Sequence, residues 1–470
     1  MSSTDIRFGT DGWRGIIDED FTDDNVRLVT RALVSYIREE QPAGHGLLVG
    51  YDNRRKSEDF ARVAAEVVAE AGISVTLADR AISSPCLSFA VKHHGAQGGI
   101  MITASHNPPQ FNGFKFKANY GGSGLPEIMA AIEQRIGKRA PNELQAEVAE
   151  TVRVADITTE YLLHLASLVD LQKIKDAGWQ VVTDAMHGSG AGYFPAILQG
   201  GETRDVPIRE DRDLNFGGIN PEPIAKNLGI LFETVRQLGA DAGLAVDGDA
   251  DRIGAADEYG NFVDSHRIFA IILLHLVERR GWRGPVIKTI STTSMIDKLC
   301  AKLNLPLTVT PIGFKYITEN MLERDILIGG EESGGIGIRH HLPERDGILL
   351  GLLLLEAMTL SGARLGGLVE EVFDIVGPHY YDRIDLHLSR TEMPAARERV
   401  VETQAQTVAG RAVERIDRMD GTKFYFINGS WLLLRASGTE PVVRVYAEAE
   451  SPEAVQELLK SGEGLVTGKG

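Results

Sequence analysis

Cysteine is scarce in this chain: Cys86 and Cys300 are the only two among 470 residues. Their wide separation gives neither a disulfide framework nor a zinc-binding spacing, and both read as small core residues. Basic residues are outnumbered as well, 49 Lys and Arg against 66 Asp and Glu, which leaves a net charge of −17. So acidic a chain repels nucleic acid and anionic membranes, and an anionic ligand needs a locally basic pocket. Long apolar runs are also missing. The most apolar stretch, "GILLGLLLLEAMTL" over 347–360, contains Glu356 and is too short to span a bilayer, so it reads as a buried helix. The opening residues, "MSSTDIRFGTDGWRG", are polar and carry no export signal, so a cytoplasmic location is expected.

Glycine, in contrast, is plentiful at 51 residues, and it punctuates the ends of short apolar runs. Such runs are "GLLVGYD" (46–52), "GGIMITAS" (98–105), "WQVVTDAM" (179–186), "AGLAVDGD" (242–249), "PVIKTI" (285–290) and "DILIGGEES" (325–333). Amphipathic segments lie between them. In "SEDFARVAAEVVAEAG" (57–72) Phe60, Val63, Ala64, Val67 and Val68 recur at helical spacing. Alternating elements of this kind predict α/β domains with mixed, mainly parallel sheets, and 470 residues exceed what one core supports. The last hundred residues alternate like half-exposed strands in "YYDRIDLHL" and "VVRVYAEA". A helix follows, with Ser451 as N-cap, Pro452 in its first turn and Gly462 expected just past its end. Boundaries near 153, 258 and 370 then give three similar α/β domains (1–153, 154–258, 259–370) and a C-terminal α+β domain (371–470).

Each domain holds one distinctive polar loop. "TASHNP" ends an apolar run in Ser105 and His106, at the carboxyl end of a strand, where α/β sheets bind ligands. A lone serine there is most simply part of a polar turn. "VDGDADR" spaces Asp247, Asp249 and Asp251 alternately, so three carboxylates converge on one side of an extended segment. Their repulsion calls for a cation, and oxygen-only ligation suits Mg²⁺. An EF-hand is excluded: Arg252 stands where that loop needs Gly, and a strand precedes it. "GEESGG" (330–335) offers carboxylates and a hydroxyl that can bond sugar hydroxyls, although a simple turn fits equally well. "RASGTEP" (435–441) sets Arg435, Ser437, Gly438 and Thr439 together as a phosphate cradle.

Taken together, the four loops resemble those of the α-D-phosphohexomutases, over nearly the whole chain. That family has four domains around a central cleft and interconverts 1-phospho and 6-phospho sugars through a bisphosphorylated intermediate. The resemblance implies that Ser105 is phosphorylated and that Asp247, Asp249 and Asp251 hold one Mg²⁺, with the phosphate on Ser105 completing the site. It implies that Glu331 and Ser333 bind the sugar, and that Arg435, Ser437, Gly438 and Thr439 bind its phosphate. Arg14 in "DGWRG", Lys115 in "NGFKF", Lys288 in "VIKTIS" and Arg252 fall where the family keeps basic active-site residues.

A sugar hydroxyl that attacks phosphorus must lose its proton, so a general base is required. Lys115 is the first candidate, provided that burial or a cationic neighbour such as Arg14 lowers its pKa from about 10.4. His106 is the alternative, although a structural role in fixing the loop suits it better. His93 and His94 have no metal-site spacing and read as surface residues. The middle Glu332 and the segment "PIGFK" (311–315) look like the glucose-preferring branch, with loop "GEES" and segment "PTGWK". The expected enzyme is therefore a phosphoglucomutase activated by glucose 1,6-bisphosphate, monomeric or homodimeric; a phosphomannomutase or dual enzyme is the alternative. A binding module that has lost its chemistry is disfavoured, since the serine, the three Asp, Lys115 and the phosphate loop are intact. A phosphatase passing phosphate to water is a further rival.

Overall fold

The strands Gly98–Ile102, Ala242–Val246 and Ile328–Gly330 are buried along their whole length, as continuous apolar runs inside mixed sheets require. Each lies parallel to a neighbour on one side: Leu47–Tyr51, Gln180–Asp184 and Val286–Thr289 respectively. On the other side each meets an antiparallel strand that follows it directly in the chain: Phe111–Ala118, Ile253–Ala256 and Ile336–Ile338. Three of the polar loops are therefore hairpin connections at the carboxyl ends of parallel strands. The fourth also joins a hairpin, between Trp431–Ala436 and Val442–Ala449. The structure, a computed structural model, describes residues 6–9, 12–41, 44–138, 150–437 and 441–468.

Around these hairpins the described residues build four sheets. The first runs Trp13–Ile16, Phe111–Ala118, Gly98–Ile102, Leu47–Tyr51, Val75–Ala78, Arg153–Ala155, with the short strand Gly122–Ser123 paired to Phe111–Ala118. The second runs Phe262–Val263, Ile253–Ala256, Ala242–Val246, Gln180–Asp184, Arg204–Ile208. The third runs Leu307–Thr310, Val286–Thr289, Ile328–Gly330, Ile336–Ile338. The fourth is antiparallel throughout, from Tyr380–His387 through Val442–Ala449, Trp431–Ala436, Thr422–Phe426 and Arg411–Asp417 to Thr407–Val408. This is the α/β plus α+β architecture that the sequence predicts.

One apolar core welds the first three sheets together, joining Met101, Leu244, Phe269, Ile328 and Leu352 in a single cluster. The helix Gly347–Ser361 runs through it and is buried from Gly347 to Met358. Among the described residues no single helix is long and apolar enough to cross a membrane. Both cysteines are core residues, and burial pushes each thiol up to about 12.

The fourth sheet has its own core around Phe424, Leu432, Leu434 and Leu458. It meets the third through a small apolar cluster of Ile290, Trp431, Leu433 and Tyr446, with polar groups buried beside it. The Lys423 ammonium, fully buried, lies 3.7 Å over the Trp431 ring and donates to the Ile290 carbonyl at 2.6 Å. Buried Glu448 accepts from the Ser294 N–H and from Trp431 Nε1, both at 2.9 Å.

The last helix differs from expectation. It spans Pro452–Thr467 and ends at Gly468, not at Gly462. Gly462 serves packing instead: a Cβ there would lie 2.5 Å from Val445 Cγ1, so glycine lets the helix sit close on the sheet.

The buried helix yields a stability contrast. Leu352→Ala removes a fully buried side chain and should cost ~2–5 kcal/mol. Leu360→Ala, on the same helix but exposed, should stay within ~0.5 kcal/mol. Urea unfolding midpoints of the two variants check the difference.

Candidate active site

Ser105 leaves its strand with φ at +51°, a left-handed conformation that side chains other than glycine adopt at a cost. Arg54 holds it there. This fully buried guanidinium donates to the carbonyls of Ser105 and Asn107 (2.6 Å each), Pro108 (2.9 Å) and Phe111 (3.1 Å), and pairs with Asp52 at 3.2 Å. Asp52 also accepts from the hydroxyls of Thr103 and Ser57. Strained backbone is thus fixed by four charge-assisted bonds from one side chain.

The serine faces the aspartates. Its Oγ donates to Asp247 Oδ2 at 2.8 Å. Asp247, Asp249 and Asp251 are all fully buried, with ligand atoms within 4.8 Å of one another. Burial and the two neighbouring carboxylates push Asp247 well above the ordinary carboxylate range. Burial also raises Asp251, although Arg345 at 2.8 Å opposes it. Asp249 accepts from Ser84 Oγ (2.6 Å) and from Lys115 Nζ (2.9 Å), and Lys115 reaches Asp251 at 3.5 Å. Oδ1 of both Asp249 and Asp251 is buried without a hydrogen bond. Three crowded carboxylates with oxygens left over are an oxygen-only donor set of the kind that Mg²⁺ takes.

The approach of the two loops depends on Gly248. A Cβ there would fall 2.4 Å from the Ser105 carbonyl oxygen, so no other residue lets them come so near. Ala250 has φ at +58° and pays the left-handed cost that glycine would avoid. Its carbonyl accepts from Gly347 N–H, which brings the positive end of the Gly347–Ser361 helix to the aspartate loop.

Several predicted residues join this group. His106 Nδ1 lies 3.3 Å from Ser105 Oγ, and burial with Arg252 and Arg14 nearby holds the imidazole well below its usual pKa, hence neutral. Arg14 donates to Asn107 at 2.6 Å, beside the serine. Arg252 lies 3.8 Å from Asp251 and 3.9 Å from Glu222.

Others sit apart. Lys288 is held by Asp297 and by the Thr292 and Thr293 carbonyls. Glu331 is buried at the head of its hairpin, its N–H bonded to Gly335, with Ser333 partly exposed between them. Arg435 pairs with Asp420 at 2.9 Å, and Ser437 N–H bonds to Val442 while Arg397 donates to its carbonyl. Gly438 and Thr439 lie outside the described residues.

Glu332 turns toward the fourth sheet. It accepts from the Tyr381 hydroxyl at 2.7 Å and from Arg383 at 3.1 Å. Burial alone would raise its pKa, but Arg383 and Tyr381 outweigh burial and hold it low. The letter that resembles the glucose branch is thus engaged between sheets.

The relatives of this chain agree with the geometry. Four family models match it in order. Three are the phosphoglucomutase/phosphomannomutase alpha/beta/alpha domains I (5–143), II (159–260) and III (264–376), and the fourth is that family's C-terminal domain (394–461). A phosphoglucomutase/phosphomannomutase of Thermococcus kodakarensis is 31% identical, with 97% of each chain covered. A probable phosphoglucosamine mutase of Thermococcus gammatolerans is 30% identical over 98% of each. Among solved structures, a putative phosphomannomutase from Thermus thermophilus superposes with a TM-score of 0.87 at 37% identity, covering 98% of this chain and 99% of its own. The chain belongs to the phosphoglucomutase/phosphomannomutase family, the α-D-phosphohexomutases, isomerases that interconvert sugar phosphates.

Gly248→Ala tests the contact between loops. The added methyl must push the aspartates from Ser105, so mutase activity should fall ~10²-fold, as displacements of about 1 Å do. Circular dichroism should remain that of the parent.

Proposed function

We propose that the protein is a phosphoglucomutase, interconverting glucose 1-phosphate and glucose 6-phosphate through a phosphoserine and a hexose 1,6-bisphosphate. The observation that carries this reading is Ser105 Oγ, hydrogen-bonded at 2.8 Å to one of three buried aspartates at a strand end. Four units, 1–153, 154–258, 259–370 and 371–470, each contribute one loop. Asp247, Asp249 and Asp251, with the phosphate of Ser105, hold one Mg²⁺, which when bound supplies positive charge beside the phosphoryl oxygens.

In the forward direction a glucose 1-phosphate hydroxyl attacks the phosphorus on Ser105. The Oγ–P bond breaks, a new O–P bond forms at the sugar, and the hydroxyl proton passes to Lys115, which accepts it as the neutral amine after its ammonium proton has left along the hydrogen bond to Asp249. Arg14 and Arg252 offset the charge on the phosphoryl oxygens as it moves. Glu331 and Ser333 grip the sugar hydroxyls. Arg435, Ser437, Gly438 and Thr439, with Lys288 in support, anchor the phosphate that is not reacting. The bisphosphate then turns, Ser105 recovers phosphate from the other end, and added glucose 1,6-bisphosphate restores any enzyme left unphosphorylated. His106 orients the serine loop.

A second reading, dual glucose and mannose specificity, is favoured by one observation. Glu332 is occupied by Tyr381 and Arg383, which leaves Glu331 and Ser333 to read the sugar.

Two experiments test these assignments. Freshly purified protein should show a phosphorylated fraction by intact mass that Ser105→Ala lacks, and that variant should lose turnover without releasing free phosphate. Near-normal turnover in Ser105→Ala would remove the nucleophile. For the sugar, kcat/KM for glucose, mannose and N-acetylglucosamine 1-phosphates should rank glucose first. Glu331→Ala should weaken glucose 1-phosphate by ~1.5–3 kcal/mol, the size of a hydrogen bond to a charged group, and narrow the gap to mannose.

A further inference from the structure

His93 and His94 close the helix Ser84–His93, and nothing in the mutase reaction uses them. Adjacent histidines have no metal spacing by themselves. The fold supplies what the sequence omits. Glu160, on the helix Thr158–Ser167, packs beside them and places its Oε2 3.0 Å from His94 Nε2 and 3.7 Å from His93 Nε2. The ligand atoms of all three lie within 4.8 Å of one another. A tetrahedral zinc with bonds near 2.0–2.1 Å separates its ligand atoms by roughly 3.3 Å, and the separations of 3.0 and 3.7 Å from Glu160 to the two rings bracket that value.

The rings are also held in place. His93 stacks on Phe89 (centroids 5.0 Å apart, 21° between planes), and Phe89 stacks in turn on His164 at 4.6 Å. That column fixes the His93 rotamer, and His94 meets it edge-on at 5.1 Å. Side-chain exposures of 48%, 40% and 50% for His93, His94 and Glu160 leave the site open to solvent, so water can complete the coordination.

We propose that His93, His94 and Glu160 form a surface site for a divalent d-block cation, Zn²⁺ or Co²⁺, distinct from the buried aspartates. Two imidazole nitrogens and one carboxylate select such ions over Mg²⁺, which prefers an all-oxygen shell. A bound ion ties the helix that precedes Gly98–Ile102 to the first helix of the following unit. It therefore stabilises the folded chain as any ligand does that binds only the native state.

The test uses the full chain with Mg²⁺ in saturating excess, so that the aspartates are masked. Co²⁺ titration should give a visible d–d spectrum with about one ion per chain, and Zn²⁺ should raise Tm. His94→Ala and Glu160→Gln should each weaken Co²⁺ binding at least tenfold and abolish the Zn²⁺-induced rise, while Mg²⁺-dependent mutase turnover stays at the parental level. Absence of Co²⁺ binding in the parent, or equal binding in parent and both variants, would overturn the proposal and leave the trio as a surface ion pair only.

Discussion

Asp247, Asp249 and Asp251 leave one strand end with their carboxylates buried and crowded against Ser105. Much of the surrounding structure answers that charge. Lys115 comes from the neighbouring sheet to stand between Asp249 and Asp251, and Arg345 reaches Asp251 from the segment before the buried helix. That helix directs its N-terminus at the same loop. Even so, burial and mutual repulsion lift Asp247 well above its ordinary pKa. The cluster is the acidic triad of a magnesium-dependent family.

The four polar loops share one local design. Each is a short hairpin connection, and in the first three units its incoming strand belongs to the parallel part of a sheet. Hydrogen-bonded, largely buried strands flank each loop, which suits a site that must hold reacting groups to within fractions of an ångström. The seams differ in character. A large apolar core joins the first three sheets, whereas the third meets the fourth through the smaller cluster of Ile290, Trp431, Leu433 and Tyr446 together with polar contacts of Lys423, Glu448 and Glu332. The loop bearing Glu331 and Ser333 is therefore braced by the fourth sheet through its middle residue.

The strand-and-loop pattern was legible because apolar runs and alternating aspartates are local signals. Val246 and Asp247 adjoin in sequence, and the strand end follows from them. The buried helix over 347–360 was legible for the same reason. Residues that act across the fold were not. Arg54 sits at another strand end, in "YDNRRKS", yet its four carbonyl partners lie some fifty residues away. Arg345 and Ser84 meet the aspartates only after the sheets assemble. Glu332 reads as a sugar-loop letter and turns out to face Tyr381 and Arg383. The helix end expected at Gly462 fails because glycine there answers close packing and not helix termination.

The central claim is that the buried aspartates are built for a cation that the chain's own charges do not replace. The most direct measurement is the melting temperature with and without Mg²⁺, for the parent and for Asp249→Asn. Mg²⁺ at about a hundred times its Kd should stabilise the parent by ~2.7 kcal/mol, visible as a clear rise in Tm, and leave Asp249→Asn nearly unmoved. An equal rise in both proteins, or none in the parent, would contradict the account.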